Sequence, residues 1–154
     1  MVFDCLSTAY TSILVNGAPC GFFPIKRGLR QGDPLSPFLF ILVSNDLSRM
    51  LAGAQADGWV QGLQCGRSTT TLSHVLYADD MMLLCPGDPR FVEGLMFVVS
   101  IFGWLSGLSI NHRKCAFLRI HMDETVLHWL AARFFYPVES FPIRYLGLPL
   151  SLRS

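Results

Sequence analysis

Charge is what this sequence has least of. Only 15% of its 154 residues are Asp, Glu, Lys or Arg, against roughly a quarter in an ordinary soluble domain. Hydrophobic residues make up 51% and aromatics 12%, enough to fill a core and too much for a disordered chain. Surface that other parts of a larger assembly would cover is implied, and in isolation such surface favours aggregation. An excess of one sign is also lacking. Twelve basic and eleven acidic residues leave a formal charge of +1, whereas a self-sufficient nucleic-acid binder carries a clear basic surplus, so any grip on nucleic acid is local or supplied from elsewhere. The five cysteines, Cys5, Cys20, Cys65, Cys85 and Cys115, are odd in number and contain no CxxC pair. They signal neither a disulfide framework nor a zinc knuckle, and a reducing compartment is the default. The N-terminus lacks the charged, apolar, small-residue order of a secretory leader. Formal charge is absent from Gly94 to His112, a length that could cross a bilayer. That span holds Ser100, Gly103, Ser106, Gly107, Ser109 and Asn111, and its apolar residues are periodic, which favours a core helix over a membrane span.

Along the chain, Ser12 to Lys26 reads as two extended runs around the turn signal Asn16-Gly17-Ala18-Pro19. Gly28 to Pro34 is a polar, glycine-punctuated loop, after which Ser36 as N-cap and Pro37 in the first turn start a helix. Phe38, Leu39, Leu42, Val43, Leu47 and Met50 form its buried stripe, Asn45, Ser48 and Arg49 its outer face, and it ends before Gly53. Trp59 to Cys65 is a short strand and Gly66 to Thr71 a connector. Leu72 to Ala78 and Met81 to Cys85 are strands flanking Asp79-Asp80. Asp88-Pro89 opens a second helix in which Val92, Leu95, Met96, Val99, Phe102 and Leu105 or Ser106 share a side, closed by Gly107. Asp123 caps a third, with Val126, Leu127, Leu130 and Phe134 inward, and Phe141 to Leu150 is extended. Hairpins interleaved with helices predict an α+β fold, an antiparallel sheet with helices packed on one face, in a single domain over 1–154.

Tyr77-Ala78-Asp79-Asp80 carries the chemistry. Two adjacent carboxylates at the tip of apolar strands are exposed oxygen ligands on a rigid support, which suits a hard divalent cation. In nucleotidyl transfer two magnesium ions about 4 Å apart activate the attacking oxygen and stabilise the leaving one, so carboxylates must converge from more than one strand. An isolated Asp-Asp pair is ordinarily a polar turn; the surrounding motifs outweigh that reading. YADD, preceded by GLRQGDPLSPFLF and followed by GLSINHRKC and RYLGLPL, resembles the palm of a non-LTR reverse transcriptase, and the YLGLPLS wording is similar to plant LINE-like retrotransposons. The resemblance runs from about Ser12 to Ser151.

That resemblance implies an RNA-directed DNA polymerase acting on an RNA template, a DNA primer and deoxynucleoside triphosphates with two Mg²⁺ ions. It makes Asp79 a direct metal ligand and Asp80 a weaker one, and sets Tyr77 near the primer terminus or nucleotide. It assigns Arg30, Gln31, Gly32, Pro34 and Ser36 to the nucleotide and template region, with glycines permitting close backbone approach, and leaves Arg27 and Arg30 as candidate phosphate partners. Lys114 matches the lysine proposed to protonate the departing pyrophosphate, and Tyr145, Leu146 and Gly147 match the strand that holds the primer. His112, His121, His128 and Cys115 have no compact zinc spacing. The family also carries a catalytic aspartate on an earlier palm strand that this sequence lacks; Met1 to Tyr10 resembles the tail of the intervening helix, and Asp4 is not assigned to the site. Fingers, thumb and endonuclease parts of the parent polyprotein are not in evidence either. The expectation is a truncated palm without polymerase activity of its own. A non-catalytic product of a decayed element is the alternative, and a small membrane protein anchored through Gly94 to Asn111 a lesser one. Action in nucleus or cytoplasm is what the family implies.

Overall fold

The computed structural model describes residues 2–26, 28–66, 70–120 and 122–152, and its contacts divide the chain into two compact units, 1–42 and 43–154. In the first, helix α1 (Val2–Ser7) leads into strands β1 (Tyr10–Val15) and β2 (Ala18–Pro24). They pair antiparallel with Val15 opposite Ala18. Asn16 and Gly17 between them both take positive φ, 50° and 80°, which Asn-Gly supplies at least cost in a two-residue hairpin turn. The register slips between Thr11 and Ile13, where Gly21 on the facing strand is left-handed at φ 69°, the signature of a bulge that bends a ribbon. Ile13, Leu14, Val15, Phe22 and Phe23 on this ribbon are exposed.

Helix α2 (Ser36–Ala56) crosses from the first unit into the second. Ser36 is its first helical residue, not its cap: the Asp33 carboxylate accepts from the Leu35 amide at 2.8 Å and the Asp33 carbonyl from the Ser36 amide at 3.1 Å, so an Asx turn holds the chain at the helix start. The helix also runs through Gly53, which has open space around it, and ends at Ala56, two residues before Gly58, left-handed at φ 77°. Its expected stripe is only half correct. Leu47 and Leu51 are buried and Met50 packs beside them, but Phe38 and Leu42 are 66% and 64% exposed. Ser48, expected outside, is half-buried and bonded to His74.

In the second unit the expected Trp59–Cys65 strand shortens to β3 (Leu63–Gln64), paired with β4 (Thr71–Leu72). Strands β5 (His74–Tyr77) and β6 (Asp80–Leu83) form a hairpin, and α3 (Pro89–Ser106) follows. Asp88 caps α3 by accepting from the Arg90 amide, Pro89 occupies the first turn, and Gly107 closes it at φ 72°, as its sequence predicted. Val92, Leu95, Val98, Val99 and Phe102 line its inner face, while Leu105 points to solvent. Length and composition alone would let α3 cross a membrane; its inner face instead packs with Leu47, Leu51 and Val60 in a core that Leu76, Met81, Leu83 and Ile110 border. Next come a 3-10 turn (His112–Lys114), β7 (Phe117–Leu118), α4 (Glu124–Phe134), β8 (Val138–Glu139), β9 (Ile143–Tyr145) and β10 (Leu148–Leu150). Leu127 and Leu130 are the buried side of α4. The class is α+β, yet among the described residues the strands pair as five two-stranded ladders, four antiparallel and one parallel (β7 with β8), where a single antiparallel sheet was expected. Apart from β1 and β2, the strands are two to four residues long, with too few ladder bonds to build one unaided.

Candidate active site at the acidic hairpin

The β5–β6 hairpin pairs His74 with Leu83, Val75 with Met82, Leu76 with Met81 and Tyr77 with Asp80. Alternation along each strand puts His74, Leu76, Met81 and Leu83 on one face and Val75, Tyr77, Asp80 and Met82 on the other. The first face borders the core, which anchors the hairpin; on the second, Val75 and Met82 are half-buried, and exposure is confined to the tip, where Tyr77 is 62% exposed and Asp79 and Asp80 are exposed. Only Ala78 and Asp79 lie between the strands, and Ala78 is left-handed at φ 49°. Asp79 is thus a turn residue whose direction is set by that backbone, and Asp80 is the first strand residue, opposite Tyr77.

No described cation pairs with either carboxylate; the described ion pairs are Arg90 with Asp88 and Arg133 with Glu93. Two free carboxylates on a core-anchored turn fit a hard divalent ion by donor chemistry. They supply part of a shell, since the described residues contain no group of three His, Cys, Asp or Glu able to hold a metal. Behind the hairpin, His74 Nε2 lies 2.9 Å from Ser48 Oγ and His74 Nδ1 3.0 Å from Ser73 Oγ. Burial lowers the His74 pKa, which favours the neutral ring that can donate to one serine and accept from the other. This bridge ties β5 to α2, and sequence reading missed it because its partners lie 26 residues apart.

Lys114 ends the 3-10 turn, exposed, with its amide donating to the Asn111 carbonyl at 2.9 Å. His112 in the same turn meets Tyr136, His128 is exposed on α4, and His121 lies outside the described residues. Tyr145 closes the β9–β10 hairpin opposite Leu148, with Leu146 and Gly147 in the turn at φ 52° and 80°. The Tyr145 hydroxyl is buried with no hydrogen-bond partner among the described residues. Arg30, Gln31, Gly32, Pro34 and Ser36 belong to the first unit, where Arg30 and Gln31 are exposed; Arg27 lies outside the described residues. Gly28 and Gly32 are left-handed at φ 76° and 83°, and a Cβ at either would meet nothing within 4 Å. Their positive φ is conformation that glycine adopts without strain, and the space beside each is open.

The family model described as reverse transcriptase (RNA-dependent DNA polymerase) matches residues 2–150. An uncharacterized mitochondrial protein of Arabidopsis thaliana is 45% identical over 71 residues, covering 46% of this chain and 58% of that protein. A retrovirus-related Pol polyprotein from the type-1 retrotransposable element R2 of Popillia japonica is 31% identical over 118 residues, covering 75% of this chain and 18% of the polyprotein. A Pol polyprotein from a type-2 retrotransposable element of Drosophila melanogaster is 31% identical over 140 residues, 73% of this chain and 12% of its own length. The chain thus spans a minor part of the Pol polyproteins it matches. With nearly its whole length inside the family model, the chain belongs to the reverse transcriptase family of RNA-dependent DNA polymerases, in its non-LTR retrotransposon form.

Proposed function

We propose that this chain forms the part of a polymerase palm that presents the acidic hairpin to a primer, an RNA template and a deoxynucleoside triphosphate. The observation that carries the reading is the hairpin itself: Asp79 and Asp80 exposed, with no ion-pair partner among the described residues, at a left-handed turn whose strands are anchored by Leu76 and Met81. Magnesium held there would lower the charge of the triphosphate and stabilise the oxygens gained and lost at phosphorus. Asp79 is its principal protein ligand and Asp80 an auxiliary one. The primer 3′-oxygen bonds to the α-phosphorus as its proton leaves to solvent, the bond to pyrophosphate breaks, and Lys114 gives a proton to the departing pyrophosphate oxygen. Exposed Tyr77 lies against the primer end or the nucleotide, the loop with Arg30, Gln31, Gly32, Pro34 and Ser36 against nucleotide and template, and the Tyr145-Leu146-Gly147 turn against the primer backbone.

Two carboxylates do not complete a two-metal cage, so the chain alone does not polymerise. Primer extension on an RNA template with magnesium tests this, comparing the chain, a form extended upstream by a palm strand with a further aspartate, and that form with Asp79→Asn. Incorporation by the extended, unmutated form alone is expected. Activity that survives Asp79→Asn refutes the metal assignment.

A further inference from the structure

Tyr136 is 7% exposed although it follows the end of α4, where chain is ordinarily solvated. Phe135 at the helix cap is left-handed at φ 58°, which turns the next side chain inward. The Tyr136 hydroxyl lies 3.0 Å from His112 Nδ1, and the rings stack at 5.5 Å with planes 29° apart. Phe117 packs against Tyr136 at 5.7 Å, and its amide donates to the Pro137 carbonyl at 2.8 Å, locking the segment behind Tyr136 to the strand that follows the 3-10 turn. On the other side of that turn Ile110 borders the core, while the Asn111 side chain accepts from the Arg113 amide. The turn is therefore held at both ends, and its last residue is Lys114, whose ammonium pairs with no described carboxylate.

We propose that Tyr136 is a positioning residue for Lys114: its hydroxyl holds His112, and so the 3-10 turn, in the conformation that offers the Lys114 ammonium to a pyrophosphate group. The inference deepens the proposed function and rests on the role given there to Lys114. The phenol touches no reacting atom. It acts by sparing the turn the entropy of ordering when the anion binds.

The sequence suits the test, because Lys26 and Lys114 are its two lysines. Reductive ¹³C-methylation keeps their charge and gives each a separate NMR signal, and Lys26 reports non-specific anion binding. The probe is inorganic pyrophosphate, titrated into the 154-residue chain with affinity read by calorimetry. The Lys114 signal should move with pyrophosphate. Tyr136→Phe, which removes one hydroxyl, should weaken binding on the order of five-fold, the scale of one hydrogen bond, with its unfolding midpoint near that of the parent. Lys114→Ala should weaken binding more, and the double variant no further than Lys114→Ala alone. His112→Ala, at an exposed residue, removes the partner from the other side together with the stacked ring, and should weaken binding at least as much as Tyr136→Phe. If Lys114→Ala binds as well as the parent, the role of Lys114 fails and takes this proposal with it. If Lys114→Ala loses affinity but Tyr136→Phe and His112→Ala do not, or if the losses add, the role of Lys114 stands and the positioning role of Tyr136 is overturned.

Discussion

Adding one methyl group at Gly94 and one at Gly53 should move stability in opposite directions. Both glycines are helical, Gly94 in α3 and Gly53 in α2, and a helix interior by itself prefers alanine by about 1 kcal/mol. At Gly53 nothing lies within 4 Å of an added Cβ, so the propensity gain remains; about 0.5 to 1 kcal/mol of stabilisation is expected. At Gly94 the added Cβ would lie 2.2 Å from the Trp59 carbonyl oxygen and 3.2 Å from its carbon. That oxygen cannot swing away cheaply, because the Trp59 and Val60 amides both donate to the Ala54 carbonyl, at 2.9 and 3.2 Å, and Val60 is buried in the core. Relief of roughly an ångström of overlap must come from moving α3 off the segment, an overpacking cost of about 1 to 3 kcal/mol or more, which exceeds the propensity gain. We expect Gly94→Ala to lose on the order of 2 kcal/mol, or about 4 to 8 °C of melting temperature at this chain length. Urea and thermal unfolding of the two variants beside the parent measure both effects. A Gly94→Ala midpoint at or above that of the parent refutes the close approach of α3 to Trp59.

Ala78→Gly should raise the unfolding midpoint by about 1 kcal/mol, since φ 49° at Ala78 is conformation that glycine adopts without the clash of a Cβ; a fall in midpoint contradicts the turn geometry. The Asp123 carboxylate is held below its ordinary pKa by hydrogen bonds from the Thr125 hydroxyl and then the Val126 and Thr125 amides. A lowered folded-state pKa means that its contribution to stability is present above the ordinary carboxylate value and is lost as pH falls through the folded one. Asp123→Ala should therefore be less stable than the parent near neutrality, with the gap in urea midpoints closing only in strong acid; a gap that does not depend on pH refutes the capping role. Burial pushes the Cys85 thiol up to about 11, so iodoacetamide near pH 8 should alkylate exposed Cys20 and Cys65 well before Cys85. Mass mapping over time reads the order, and early labelling of Cys85 sinks the prediction.

How much could be read in advance depended on range. Helices α3 and α4 were legible because their signals are local: Asp88-Pro89 and Asp123 at the starts, Gly107 at one end, and inner residues recurring at helical steps. The Asn16-Gly17 hairpin was legible for the same reason. In α2 the periodicity found which residues share a face and could not tell whether anything covers it; Leu47 is buried and Phe38 and Leu42 are not. At the site, Tyr77, Asp79 and Asp80 stood out through the order of the surrounding motifs, since an Asp-Asp pair by itself reads as a polar turn. The two contacts that fix neighbouring backbone, Ser48 with His74 and Tyr136 with His112, join residues 26 and 24 apart. No local pattern announces them. A serine on the expected outer face of a helix and a tyrosine after a helix end both read as ordinary surface until the chain is folded.

Backbone conformation draws the local and long-range parts together. Four described non-glycine residues take positive φ: Asn16, Ala78, Phe135 and Leu146. Asn16 is what a two-residue hairpin turn favours, asparagine before glycine. The other three run against local preference, since alanine, phenylalanine and leucine each meet a Cβ clash in the left-handed region that costs on the order of 1 kcal/mol. Each stands beside a residue given a role here: Ala78 before Asp79, Phe135 before Tyr136, Leu146 between Tyr145 and Gly147. Strain of this kind persists only where surrounding contacts over-determine it, and such contacts are present at two of the three. Leu76 and Met81 anchor the first turn in the core, and the His112 and Phe117 rings hold Tyr136. At the third, the Tyr145 hydroxyl is buried with no hydrogen-bond partner among the described residues. Three of the four left-handed positions therefore mark where this fold departs from its own local rules, and they fall in the acidic hairpin, beside Tyr136 and in the β9–β10 turn.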